Sequence, residues 1–249
     1  MEVHAHTHTA RKKWTHYLWE FLMLFLAVFC GFLAEYQLEH TIENQREKKY
    51  ILSMIEDAQT DTANIQAAIV LNKKRILSLD SMANDCFNYS NAGVTDSVLY
   101  HFLPKCWRHP DFASPTERTM FQLKNAGGMR LIRKKVAADS IIAYDDFGKK
   151  LLNQQAYYER YLNEIVDGAT SVFNFKYFPM DMVKYRTMTN EKDLRSAKLL
   201  TSDKVKIIEF GNKASLHRGI VGFYLFRLEE GKQHALNLIE TLKKEYHLK

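Results

Sequence analysis

Proline and glycine are scarce. There are four prolines and ten glycines in 249 residues, with no proline before Pro104 and no glycine between Gly31 and Gly93. A β sandwich or barrel punctuates its strands with such residues at short, regular intervals, so this composition excludes that class and points to long helices. Cysteine is rarer still, three in all, too few for a disulfide-stapled small fold. Local signatures of familiar chemistries are also missing: the sequence has no Gly-x-Ser-x-Gly elbow, no phosphate-binding glycine loop, no His-Glu-x-x-His and no Cys-x-x-Cys pair. An enzyme is therefore not expected, and neither is a cofactor.

No sign of charge dominates. Of the formal net charge of +6, residues 1–34 carry +1 (Arg11, Lys12 and Lys13 against Glu2 and Glu20), which leaves +5 for the remainder. Spread over the rest of the chain this is a mild bias. It favours membrane lipid or acidic polymers as partners and gives no reason to expect nucleic acid. With 46% hydrophobic and 26% charged residues, the part beyond the N-terminal region is long enough for one ordinary domain with a real core.

What stands out positively is one apolar run, Phe21 to Ala34, extended by Trp14, Tyr17 and Trp19 on one side and Tyr36 on the other. A helix from Trp14 to Tyr36 rises roughly 33 Å, the thickness of a bilayer core with aromatic residues at both interfaces. A cleaved signal is disfavoured, because the only stretch ending in alanine, Phe32-Leu33-Ala34, places bulky Phe32 where processing wants a small residue. Lipidation at Cys30 is disfavoured for the same reason by Phe29. Basic residues stay on the cytoplasmic side, and Arg11, Lys12 and Lys13 precede the run whereas the first basic residue after it is Arg46. The expected organisation is a cytoplasmic His/basic tail (residues 1–13), a transmembrane anchor (14–36) and an extracytoplasmic helical domain (37–249).

Helical periodicity continues beyond the anchor. Ile51, Ile55, Ala58, Thr62, Ile65, Ile69, Asn72, Ile76 and Leu79 alternate by four and three, which predicts that the anchor helix extends as a stalk to about residue 84. Thr62 and Asn72 weaken that seam as a coiled coil, so it is expected to pack within the domain. A loop at 84–96, a short helix from Asp96 ended by Pro104, and a helix started by Ser114-Pro115-Thr116-Glu117 as a capping box follow. A long helix capped by Asp139 or Ser140 should bury Tyr144, Phe147, Leu151, Gln154, Tyr158, Tyr161, Ile165, Gly168 and Val172. After an irregular segment, a last helix from about Asp203 should bury Val221, Leu225, Leu228, Lys232, Ala235, Ile239, Leu242 and Tyr246. Gly219 to Leu228 also admits a strand reading. The fold class is all-α: a transmembrane helix continuing into a long stalk helix that packs in an antiparallel helical bundle, with legs running outward, back, outward and back.

The run His4 to His40, the segment SPTERTMFQLKNAGGMRLIRKK (114–135) and the ending Leu242 to Leu248 together resemble an uncharacterised bacterial family of single-pass membrane proteins, a domain of unknown function. The resemblance implies an anchored helical architecture in the bacterial inner membrane, with the N-terminus cytoplasmic and the C-terminal domain periplasmic. It brings no activity or site residue with it.

Several side-chain groups invite a functional reading. His4, His6 and His8 alternate and share one side of an extended tail, a weak site for zinc, copper or nickel, although no carboxylate or cysteine completes it. Cys86 and Cys106, 20 positions apart, can bridge in an oxidising compartment; two buried thiols are the alternative. With His101 and His109 they would supply two sulfurs and two nitrogens, but in a spacing that matches no strong metal signature. Arg130, Arg133, Lys134 and Lys135, near Arg118, Lys124 and the Gly127-Gly128 pair, form the densest basic region and a candidate for anion or lipid binding. Glu20, one turn after His16, lies near a membrane boundary. Tyr157, Tyr158 and Tyr161 would line a pocket or fill a core. The expected function is a non-enzymatic protein-interaction or scaffold component of the cell envelope, with a protein partner or a homo-oligomer; a ligand-sensing module is the alternative.

Overall fold

The computed structural model describes residues 14–89, 93–107, 112–178, 194 and 196–248. The fold is all-α, and no strand occurs among the described residues. The helices are α1 (Trp14–Phe87), α2 (Asp96–Trp107), α3 (Arg118–Asn125), α4 (Lys135–Val172) and α5 (Lys204–Glu245), with short 3-10 turns at Gly128–Leu131 and Phe175–Tyr177. The tail carrying His4, His6 and His8 lies outside the described residues, as do His109 and Pro179. The chain divides into two compact units, Met1–Tyr50 and Ile51–Lys249.

In the first unit α1 carries one segment long and apolar enough to cross a membrane, and none of it is buried by the protein. Steps of about 100° per residue place His16, Glu20, Ala27, Gly31 and Ala34 on one side. The phenylalanines stand on the other, where Phe21, Phe25 and Phe29 stack with centroids 6.3 and 5.9 Å apart. His16 Nε2 lies 3.1 Å from Glu20 Oε1, the expected one-turn pairing.

The second unit is built on three long helices, and its side-chain contacts fix their directions. Tyr144 and Tyr158 of α4 meet Asp61 and Arg75 of α1, so these two helices run parallel. Arg218, Glu229 and Lys232 of α5 meet Asp80, Lys73 and Gln66 of α1 in reverse order, so α5 runs antiparallel. It is antiparallel to α4 too, with Phe147 stacked on His234 and Tyr158 against Tyr224. The return leg from α1 to α4 is not a long helix but α2, an extended segment and α3. It descends along α1, from Cys106 beside Ser78, through Thr116 at Asp61, to Thr119 at Asp57. The four legs alternate in direction, as the sequence reading has it, and the second leg is broken up.

The core explains this arrangement. Ile51, Ala58, Ile65, Ile69 and Leu79 of α1 are buried as their spacing predicts. A second row, Met54, Asp57, Asp61, Ala68, Arg75 and Met82, is buried beside them. At the centre Phe112, Tyr158 and Tyr224 meet edge to face at 5.2, 5.6 and 5.5 Å, a geometry that adds to area burial.

Four local expectations need correction. Helix α2 passes through Pro104 to Trp107; with Leu103 and Cys106 both fully buried, packing outweighs the lost main-chain bond. Helix α3 begins at Arg118, and its N-cap Glu117 makes no side-chain cap bond, so the expected capping box is not formed. Helix α4 starts at Lys135, ahead of Asp139, and buries Gln155 and Leu162 in place of Gln154 and Tyr161. Helix α5 is continuous through Gly219 to Leu228, capped by Asp203 accepting from Val205 N at 2.9 Å, and it buries Tyr224, Gly231 and Leu238 rather than Leu225, Lys232 and Ile239.

Candidate functional site

The densest polar chemistry inside the bundle is a pair of carboxylates on successive turns of α1. Asp61 is 1% exposed and Asp57 3%. Asp61 Oδ1 accepts from the main-chain N–H of Thr116 (2.9 Å) and from its hydroxyl (2.6 Å), and Oδ2 accepts from Tyr144 Oη (2.6 Å). Asp57 Oδ2 accepts from Thr119 N (3.0 Å), Oδ1 lies 2.7 Å from Arg118 Nη2, and the Thr119 hydroxyl bonds Ser53 Oγ at 2.8 Å. The first amides of a helix lack intrahelical partners and attract negative charge. Asp57 supplies that capping to α3 from another helix through Thr119 N, while Asp61 holds Thr116 just ahead of the helix. Burying the carboxylates is tolerable because each one is multiply hydrogen-bonded.

A groove opens beside this clamp. Met54, Pro115, Met120, Gly148 and Leu152 form its apolar walls and Thr116, Glu117, Tyr144, Asp145 and Lys149 its polar edge, around a small opening to solvent. A neighbouring crevice, with room for little more than a water molecule, is lined by Asp61, Phe147, Leu151 and Gly231 and shares Pro115, Tyr144 and Gly148 with it. Burial first, and then the hydrogen bond to Asp61, pushes the Tyr144 phenol well above its ordinary value. Tyr144 therefore stays a donor to Asp61.

A second polar group sits deeper. Arg75 donates to Tyr158 Oη, which bonds Asn72 Oδ1 at 3.3 Å. Gln155 Nε2 donates to the Ala113 carbonyl and to Tyr224 Oη, both at 3.1 Å, and Ala113 N donates to Tyr224 Oη at 3.1 Å. Against Tyr158, with ring centroids 5.0 Å apart, lies His217, fully buried and with neither ring nitrogen hydrogen-bonded. Burial, helped by the Arg75 guanidinium, lowers its pKa to about 4, so it is a neutral imidazole.

The residues singled out from sequence are placed as follows. Cys86 and Cys106 are both buried, and both are free thiols in this structure. Cys86 Sγ contacts Met82 Sδ at 3.8 Å and Cys106 Sγ points to the Ser78 carbonyl at 3.6 Å. Burial raises both thiols to about 12. His101 turns away to Lys105 Nζ at 2.7 Å, and no metal-binding group of three or more His, Cys, Asp or Glu exists among the described residues.

The basic region is not one cradle. Arg118 belongs to Asp57 and Glu56, Lys124 to Asp145 at 2.6 Å, and Lys134 Nζ stands 4.8 Å over the Tyr246 ring. Arg130, Arg133 and Lys135 are exposed. The glycine pair does not open a long helix: Gly127 takes the left-handed conformation (φ 66°) before a four-residue 3-10 turn. Tyr158 is a core residue whereas Tyr157 is exposed.

Sequence reasoning missed Asp57, Asp61, Arg75, His217 and Tyr224. The available signal was a charged or polar residue recurring beside an apolar seam at three- and four-residue spacing, a pattern shared by any solvated helix face. Comparison with family models, with curated proteins and with solved structures found no match.

Proposed function

We propose that the protein is a membrane-anchored, non-enzymatic interaction component of the bacterial cell envelope. In this reading the apolar segment of α1 spans the inner membrane, the N-terminal tail is cytoplasmic and the bundle is periplasmic. The observation that carries it is the outer face of α5. Val205, Ile208, Leu216, Phe223 and Phe226 are exposed there, on a helix whose other face already fills the core. A helix apolar on both sides belongs in an assembly that covers both. The resemblance to uncharacterised single-pass bacterial proteins agrees with this placement.

The test is a photo-crosslinking amino acid at position 226 in intact cells, with mass spectrometry of the adducts. Specific adducts, absent when the probe sits at exposed Lys150 of α4, are the expected outcome; their absence would count heavily against an interaction role. Protease added to spheroplasts should digest the C-terminal domain and spare the tail. A ligand-sensing module is the second reading, favoured by the groove between Met54, Met120 and Leu152. A filling Leu152→Trp variant with an unchanged phenotype would remove it.

A further inference from the structure

The interaction reading leaves open what covers the outer face of α5, and the following inference rests on that reading. We propose that the occupant is α5 of a second copy of this chain, running parallel to the first.

The outer row is continuous. Val205, Ile208, Asn212, Leu216, Gly219, Phe223 and Phe226 follow each other by three or four positions, directly opposite the buried row Phe210, Ala214, His217, Val221, Tyr224 and Leu228. Its large apolar members are 40–63% exposed: Val205 63%, Ile208 40%, Leu216 51%, Phe223 46% and Phe226 52%. The Phe223 and Phe226 rings stack at 6.3 Å, and the Arg227 guanidinium lies 5.0 and 5.9 Å over them. Two glycines sharpen the point. A Cβ at Gly211 or Gly231 would come within 2.7 Å of Cys86 or Phe147, so the core explains both. A Cβ at Gly219 or Gly222 would meet nothing within 4 Å. Each costs about 1 kcal/mol of helix stability relative to alanine and gains nothing inside the chain. On an outer face, glycine lets another backbone approach closely.

Charge selects the occupant and its direction. Lys204 and Glu209 are both exposed and flank the row on opposite sides, five positions apart. Neither is held in an ion pair by another described residue. In two parallel helices packed about this row, Lys204 of each copy falls beside Glu209 of the other, twice by symmetry; an antiparallel pair separates them. A two-fold axis parallel to α5 brings the row onto itself. From Val205 to Phe226 the row is roughly 32 Å long, and a helix-wide contact of that length covers a few hundred Å² per copy, below the roughly 800 Å² usual for stable soluble dimers. The pair therefore needs the high local concentration of a membrane.

The experiment uses the full chain in its native membrane, with Cys30→Ser to remove the exposed thiol. Gly219→Cys sits on the proposed axis and should give a disulfide-linked dimer under mild oxidation, while Lys150→Cys on α4 should not. Phe223→Glu with Phe226→Glu, both at exposed positions, should abolish the dimer without changing helicity. Lys204→Glu and Glu209→Lys should each weaken it, and the double exchange should restore it. No dimer through position 219, equal dimer through position 150, or a double exchange that fails to rescue overturns the proposal. If position 219 gives no self-crosslink while the probe at 226 captures one defined different protein, the second copy is wrong and the interaction role stands. If neither yields an adduct, both fail.

Discussion

Asp61 of α1 and Tyr144 of α4 are joined by a 2.6 Å hydrogen bond across 83 positions of sequence, while the other oxygen of the same carboxylate holds Thr116. One side chain thus ties together the two parallel helices and the leg that connects them. Tyr144→Phe removes one donor and leaves the capping intact, so it should cost about 1–2 kcal/mol of bundle stability. Asp61→Ala strands Tyr144 and the Thr116 amide and should cost about 3–4 kcal/mol. Because they share a bond, the double variant should be less unstable than the sum by about 1 kcal/mol. Denaturant titration followed by near-UV tyrosine dichroism reads all three.

His217 should make stability fall with acid. Its folded pKa is about 4 against an ordinary 6.5, so between those values the unfolded chain binds a proton that the folded chain refuses. Its contribution is complete above pH 6.5, declines as pH falls and levels off near pH 4, about 3 kcal/mol in all at roughly 1.4 kcal/mol per pH unit. His217→Phe keeps the edge-to-face contact with Tyr158 and removes two orphaned polar atoms. It should raise stability at pH 7 by about 1–2 kcal/mol and flatten the acid limb. Unfolding midpoints at pH 7, 6, 5 and 4.5 check both.

The glycines of α5 should divide by sign. Gly211→Ala and Gly231→Ala drive a methyl against Cys86 and Phe147 and should destabilise by about 1–3 kcal/mol. Gly219→Ala and Gly222→Ala enter open space and should stabilise the isolated bundle by up to about 1 kcal/mol. Thermal unfolding in detergent, where copies are dilute, measures this.

The two core thiols should be unreactive. With pKa values of about 12, only about one in ten thousand is thiolate at pH 8. Alkylation of the folded protein should leave Cys86 and Cys106 untouched, and denaturation should release both. An intact mass lower by two hydrogens, with no thiol appearing on unfolding, would mean that the bridge forms in the cell.

Helices were legible wherever one apolar period ran long: α1, α4 and α5 follow their stripes to within a few residues at most boundaries. Register was less secure. Gln155 and Leu162 stand where Gln154 and Tyr161 were expected, because neighbouring residues of similar polarity leave the period a residue of slack. The clamp was not legible at all. Asp57 and Asp61 look like any charged flank of an amphipathic helix, and only the docking of α3 and the residues before it, from some 60 positions away, makes Asp57 a cap and Asp61 the anchor of Thr116. Ser114-Pro115-Thr116-Glu117 misled for a related reason: a local cap was read where a remote one operates.

The antiparallel wall that closes the core has a consequence for biogenesis. Helix α5 is synthesised after α1 and α4, yet it contributes Phe210, Val221, Tyr224 and Leu228 to their shared interior. Until it emerges, the inward stripes of the two earlier helices have no cover. Truncation within α5 should therefore yield a proteolysed product rather than a smaller stable protein.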